Sequence, residues 1–155
     1  MTPLQPLIAL LALTERQRDL ALADQVKAQG ASEAAQAQAD QLLHYRREYE
    51  LRWRARFCQE GRIELVRCYQ GFVERLTQAV DQQARHAHVA KVHLERATAT
   101  VREHELKLAA VRKVVEQRLA ESRRAGERVD QKQTDELAAR VAWSRRADRS
   151  PVKPA

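Results

Sequence analysis

Apolar residues recur every seven positions through the second half of the chain. The series is Val66, Val73, Val80, Ala87, Leu94, Val101, Leu108, Val115, Ser122 and Val129, and nine of its ten members are apolar. The positions three residues later are apolar in six of the ten repeats. Two such positions in each heptad are the pattern by which helices pack as coiled coils. We therefore predict a helix from about residue 62 to 146.

The first half of the chain also reads as helix, with a weaker apolar stripe. Residues 21–39 contain eight alanines, which allow helices to approach closely but bury little area each. Large apolar residues then return at helical spacing as Leu42, Tyr45, Tyr49, Trp53 and Phe57. No proline occurs between residues 7 and 150. These features predict a helix over about residues 3–57, with Thr2 as its N-cap and Pro3 in its first turn.

A turn is expected over about residues 58–61, where Gly61 would take a left-handed conformation. If facing residues sum to 121, apolar residues meet at most levels. The facing pairs are then Tyr49 with Phe72, Tyr45 with Leu76, Leu42 with Ala79, Gln38 with Gln83, Leu20 with Val101, and Leu13 with Leu108.

This register predicts an all-α fold with one domain over residues 1–146, a long antiparallel two-helix coiled-coil hairpin. Residues beyond about 119 have no partner strand, so we expect an overhanging C-terminal helix, followed by a disordered tail over 147–155. The rival is a parallel dimer of one long helix.

Charge and composition narrow the choice of partners. The formal charge of +7 favours nucleic acid, an anionic membrane surface or an acidic protein face. Cys58 and Cys68 do not form a disulfide framework, so reduced thiols in a cytosol are expected. The apolar run at residues 7–13 is too short to span a bilayer and lacks the flanks of a signal peptide.

No motif for catalysis or cofactor binding is present. The four glycines, Gly30, Gly61, Gly71 and Gly126, are scattered, so no Gly-rich phosphate-binding loop can form. His86 and His88 would point apart on a helix, which argues against a metal site, while His104 falls on the seam and suits a register-setting role. We therefore predict a protein that is not an enzyme, needs no cofactor or metal, and works by binding other proteins.

Arginines interleave with the aromatic stripe near the turn. The pattern Arg46, Arg47, Arg52, Arg54, Arg56 between aromatic residues could bind nucleic acid, but Glu48, Glu50, Glu60 and Glu64 break the positive field, so we favour no nucleic acid. A thin hairpin cannot bury all these aromatic rings. They either close the hairpin end or form a protein-binding patch, and both readings can hold.

Three blocks of the sequence, in order, resemble one known family. They are residues 42–49 (LLHYRREY), 69–76 (YQGFVERL) and 128–140 (RVDQKQTDELAAR). Together they resemble the FliJ family of flagellar export proteins, nearly from end to end of the chain.

The resemblance implies a cytoplasmic stalk of the flagellar type III export apparatus, similar to the central stalk of rotary ATP synthases. Such a stalk inserts into the hexameric export ATPase FliI, contacts the cytoplasmic domain of the export gate FlhA and binds export chaperones. It would be peripheral to the inner membrane through these partners and needed for flagellum assembly and motility.

The resemblance also implies two binding surfaces. The export-gate surface would comprise Gln38, Leu42, Tyr45, Tyr49, Phe72, Leu76, Ala79 and Gln83, where Gln83 departs from the histidine that the family pattern prefers. The ATPase-contacting candidates, at the opposite end, are Arg118, Arg123, Arg124, Arg128, Gln131, Asp135 and Arg140.

Other functions stay open on sequence alone. The equivalent stalk of a virulence injectisome would have a similar sequence. A basic coiled-coil nucleic-acid-binding protein and a purely structural or secreted rod are the alternatives from other classes.

Overall fold

The chain forms two long α-helices and no strand within residues 4–149, the part that a computed structural model describes. Helix α1 runs over Leu4–Gln59 and helix α2 over Ile63–Asp148. The two helices pack against each other, which confirms the predicted all-α helical hairpin. The helix limits lie within two residues of those predicted.

Some of the residues in the predictions for the two chain ends lie outside the described range. The predicted cap at Thr2 and Pro3, and residues 150–155 of the predicted tail, lie outside them. Residues 147 and 148, which we assigned to the tail, belong to α2.

Three residues, Glu60, Gly61 and Arg62, connect the helices. The Glu60 N–H donates to the Arg56 carbonyl at 2.9 Å, and the Val66 N–H donates to the Arg62 carbonyl at 3.2 Å. Since no glycine in the described chain has a positive φ, the prediction of a left-handed Gly61 was wrong. Helical hydrogen bonds continue up to Glu60 and restart at Arg62, so this connection needs no left-handed residue.

The chain divides into two compact units. The tip unit, Thr14–Lys107, contains the connection between the helices. The terminal unit comprises Met1–Leu13 and Leu108–Ala155, of which residues 4–13 and 108–149 are described.

The seam of the tip unit follows seven-residue repeats on both helices. On α1 the buried residues of the repeat are Thr14, Ala21, Ala28 and Ala35, and on α2 they include Val80, Ala87 and Val101. The α2 members belong to the predicted heptad series. A seven-residue period keeps one stripe of each helix facing its partner, which is the geometry of a coiled coil.

Alanine dominates the middle of this seam. Ala35, Ala39 and Ala87 form a buried cluster, and Ala90 packs against it half-buried. Alanine side chains let two helix backbones approach closely but bury little apolar area. Each turn of this region therefore buries less apolar area than the turns that carry Val80 or Val101.

Polar pairs across the seam define its register. The Gln83 amide donates to the Gln38 side-chain carbonyl at 3.1 Å, and the Gln25 amide donates to the Thr98 hydroxyl at 3.2 Å. Contact between Gln38 and Gln83 matches the predicted facing pair. His104 lies half-buried at its predicted position, and its Nδ1 has no hydrogen-bond partner within the described residues.

Two of the predicted facing pairs were wrong. Leu20 is 63% exposed and Leu13 is 50% exposed, so neither covers the seam. The repeat on α1 runs through Thr14 and Ala21, each one residue further along. One residue turns a side chain by about 100° round a helix, which carries both leucines to the side of the seam.

The terminal unit contains a buried stretch and an exposed one. Leu108 is 2% exposed and Val115 is 7% exposed, so this unit also buries heptad positions of α2. From residue 121 to 149 every residue is exposed. Among residues 4–149, no helix is long and apolar enough to cross a membrane.

Replacing Gly30 with alanine should stabilise the protein. Gly30 lies inside α1, and a Cβ built there meets no atom within 4 Å. Because glycine costs a helix interior about 0.5–1 kcal/mol relative to alanine, the free energy of unfolding should rise by about that amount. Urea unfolding followed by circular dichroism measures it. The exposed Ala34→Gly variant should shift the midpoint the other way, and a destabilised Gly30→Ala variant would contradict this reading.

Candidate protein-binding surfaces

Six aromatic side chains form one connected cluster in the tip unit. Tyr49 lies at its centre, with its ring centroid 4.3 Å from that of Phe72 and 5.7 Å from that of Trp53. Its centroid also lies 6.2 Å from those of Tyr45 and Tyr69. The contact between Tyr49 and Phe72 matches the register expected from sequence. Aromatic pairs at these separations add stability beyond the area they bury.

The cluster extends toward the connection between the helices. Trp53 lies 5.4 Å from Phe57 and 5.5 Å from Tyr69, and Phe57 meets Tyr69 edge-on at 5.2 Å. The Arg56 guanidinium lies 5.6 Å from the Trp53 ring centroid, at cation–π distance. These contacts show that the rings close the end of the hairpin, one of the two roles expected for them.

Arg56 belongs to the basic run that the sequence shows, and its contact with Trp53 was not predicted. The signal was available, since residues three apart on a helix are neighbours. Spacing alone does not reveal whether a long side chain turns toward the ring or toward solvent.

Glutamines form the other end of the predicted export-gate surface. The Gln83 amide donates to the Gln38 side-chain carbonyl and, at 3.4 Å, to the Ala35 backbone carbonyl. Gln83 is half-buried and Gln38 is exposed. The pair spans both helices, so this end presents a fixed polar group beside the aromatic stripe.

The eight predicted gate-surface residues differ in what they offer a partner. Leu76 is only 8% exposed and supports the seam from inside, whereas Tyr45 is 47% exposed. Gln38 is exposed, and the remaining members are half-buried: Leu42, Tyr49, Phe72, Ala79 and Gln83. The structure therefore places a partly exposed apolar stripe across two helices, with Tyr45 as its most accessible ring. Whether a partner binds there stays a prediction.

Charges of both signs surround this stripe. His44 lies 3.2 Å from the Glu48 carboxylate on the outer side of α1. The Arg46 Nε atom is buried and has no hydrogen-bond partner among the described residues. A partner that supplies an acceptor to Arg46 would complete its hydrogen bonding.

An exposed apolar face follows the last part of α2 in the terminal unit. Val129 is 55% exposed, Leu137 61%, Val141 49% and Trp143 75%. Helical spacing places the first three within about 120° of one another, and Val129 continues the heptad series of Leu108 and Val115. A helix with an uncovered apolar stripe is suited to docking against a partner.

The predicted ATPase-contacting residues are all exposed on α2. Helical spacing shows that they lie on more than one face of the helix. Arg124, Arg128, Gln131 and Asp135 follow steps of four, three and four residues, so they share one face. Arg118 and Arg140 each fall within about 20° of Val129, on the apolar face itself. Arg118 lies 4.0 Å from the Glu121 carboxylate. Asp135 reduces the positive charge of the shared face.

The described residues form neither a metal-binding group nor a disulfide. Within residues 4–149, no group of three or more His, Cys, Asp or Glu side chains is placed to hold a metal ion. Cys58 and Cys68 are exposed and form no disulfide.

One family model matches almost the whole chain. The family described as "Flagellar FliJ protein" matches residues 3–147 of the 155 residues. No curated protein sequence and no solved structure matches the chain.

The central position of Tyr49 can be tested by comparing two tyrosines. Tyr49→Ala removes four ring contacts and should lower the free energy of unfolding by about 2 kcal/mol, whereas the half-exposed Tyr45→Ala should cost below about 1 kcal/mol. Urea unfolding followed by Trp53 fluorescence, in a Trp143→Phe background, reports on this cluster. Equal losses in the two variants would contradict the assignment of Tyr49 as the centre.

Proposed function

Because the chain belongs to the FliJ family and is therefore a flagellar export protein, we propose that it is a non-enzymatic stalk that couples the export ATPase to the export gate. The family match over residues 3–147 carries this proposal. The two-helix fold supports it, since an antiparallel coiled coil suits a stalk. ATP would be hydrolysed by the partner.

The tip-unit surface would bind the cytoplasmic domain of the export gate FlhA. It combines an accessible ring at Tyr45 with half-buried apolar neighbours on both helices. Aromatic residues in such settings dominate many protein interfaces. The Gln38–Gln83 pair would contribute polar specificity at one end, in the place where the family pattern prefers a histidine.

The terminal unit would contact the hexameric ring of the export ATPase FliI. Its exposed apolar face, including Val129 and Leu137, would pack against the ring lining. Arg124 and Arg128 on another face would meet acidic groups there, and opposite charges across such an interface steer association.

The proposed partners fix the cellular setting. The protein would be cytoplasmic, peripheral to the inner membrane through its partners, and needed for flagellum assembly and motility. Export chaperones would bind it as a further class of partner. The flagellar family match favours this role over that of an injectisome stalk.

Gate binding should depend on Tyr45. We expect Tyr45→Ala to weaken binding to the cytoplasmic domain of the gate by about tenfold or more, the loss typical of an aromatic interface residue. Leu51→Ala is the matched control, since Leu51 is also exposed and lies on another face of α1. Isothermal titration calorimetry measures both affinities. Equal affinities for the two variants would remove the tip unit as the gate-binding surface.

ATPase coupling should depend on the apolar face of the terminal unit. We expect Val129→Asp with Leu137→Asp to abolish stimulation of ATP turnover and of hexamer formation, because carboxylates would be buried in the interface. The control is Thr134→Asp with Ala138→Asp, the same charge change on a side of the helix that carries neither the apolar face nor Arg124 and Arg128.

Circular dichroism must show equal helix content in the two double variants. If the unaltered protein neither binds the ATPase nor changes its turnover at moderate salt, the stalk function itself is wrong. If only the control variant loses activity, the docking face is wrong.

A further inference from the structure

An open groove runs between the two helices of the tip unit, at the stretch where the seam is built from alanine. Its volume is about 660 Å³. Ala21, Ala28 and Ala97 line it, and their short side chains leave the space unfilled. The groove contains none of the residues assigned above to the gate or ATPase surfaces.

Each wall of the groove is one straight row of side chains. On α1 the lining residues Asp24, Lys27 and Ala31 continue a row that starts at Leu20. On α2 the lining residues His93, Arg96 and Thr100 continue a row that starts at Val89. Both rows follow steps of four, three and four residues, the spacing of one helix face. Each row covers about 16 Å, three helical turns. Two parallel ridges with a channel between them match the shape of a third helix.

Large apolar side chains stand at both ends of the groove. Leu20 is 63% exposed and Val89 is 65% exposed, each one turn before the first lining residue of its row. Because the helices run antiparallel, Leu20 and Val89 lie at opposite ends. Together with the alanine floor they provide apolar contacts along the full length.

The side chains on the walls favour a negatively charged occupant. Lys27 and Arg96 line the groove with His93, against one carboxylate at Asp24. Within residues 4–149, neither Lys27 nor Arg96 has a carboxylate within 4.0 Å, so neither forms a salt bridge. A partner carrying carboxylates at these two levels would supply the missing counter-charges.

We propose that this groove binds an amphipathic helix of a partner protein, one with carboxylates beside its apolar stripe. The apolar side chains of that helix would fill the space above Ala28 and Ala97 and contact Leu20 and Val89. Its carboxylates would lie against Lys27 and Arg96. The result is a local three-helix coiled coil, and this surface does not depend on the stalk function.

A pair of synthetic peptides tests the proposal on the full chain. Both have about 18 residues, five helical turns, and the same leucine stripe; one carries glutamates beside the stripe and the other lysines. We expect the glutamate peptide to bind at least tenfold more tightly by fluorescence anisotropy. Equal affinity of the two peptides, or no binding of either, would overturn the proposal.

Variants of the protein locate the site. Lys27→Glu with Arg96→Glu should weaken binding of the glutamate peptide at least tenfold, whereas Lys91→Glu with Arg102→Glu, outside the groove on α2, should change it less than threefold. An equal loss of peptide affinity in both double variants would mean that the peptide is attracted by the overall charge and does not bind at the groove.

A second pair of variants tests the groove without changing charge. Ala31→Trp fills it and should block the peptide, while Ala37→Trp, on another face of α1, should not. Unchanged binding by the Ala31→Trp variant would overturn the groove as the site. Binding of a single-stranded oligonucleotide that is lost with Lys27 and Arg96, without peptide binding, would reassign these cations to nucleic acid.

Discussion

Close packing of two helices along a seven-residue repeat is the constraint on which the rest of the structure depends. On α1 the repeat is supplied mainly by Ala21, Ala28 and Ala35, and on α2 by larger residues such as Val80 and Val101. Small side chains on one helix let the other helix come near, but they leave the walls beside the seam open. The small side chains that permit close helix pairing therefore also leave surface to which other molecules can bind.

The fold was predictable because its signal is periodic and long. The heptads of α2 fixed its helical state, and pairing it with the aromatic stripe of α1 gave the register that the Tyr49–Phe72 and Gln38–Gln83 contacts show. The facing of Leu20 was not predictable by simple counting. The large apolar side chain of Leu20 suggested that it is buried, whereas the seven-residue repeat places Ala21 in the seam. A shift of one residue round the helix moves a side chain off the seam.

The surfaces were predictable only in outline. Sequence placed Tyr45 and Leu76 in one patch, yet it could not tell that Leu76 is buried and Tyr45 accessible. It grouped Arg124 with Arg118 and Arg140 by composition, although helical spacing places Arg124 on a different side of α2. Exposure depends on the angle of each residue to the seam, and that angle accumulates over many turns, so a small uncertainty in the period becomes a large one at the end of a helix.

The fully exposed stretch over residues 121–149 has a consequence for local unfolding of the helix. Its helix is supported by local backbone hydrogen bonds, without the buried contacts that hold Leu108 or Val115. Isolated helical segments fray readily from their ends, so amide hydrogens in this stretch should exchange with solvent through small local unfolding events. Amide hydrogens along the seam should exchange only when a larger part of the structure unfolds. A partner that covers this stretch would slow that exchange. The entropy cost of ordering the helix would reduce the net free energy of binding.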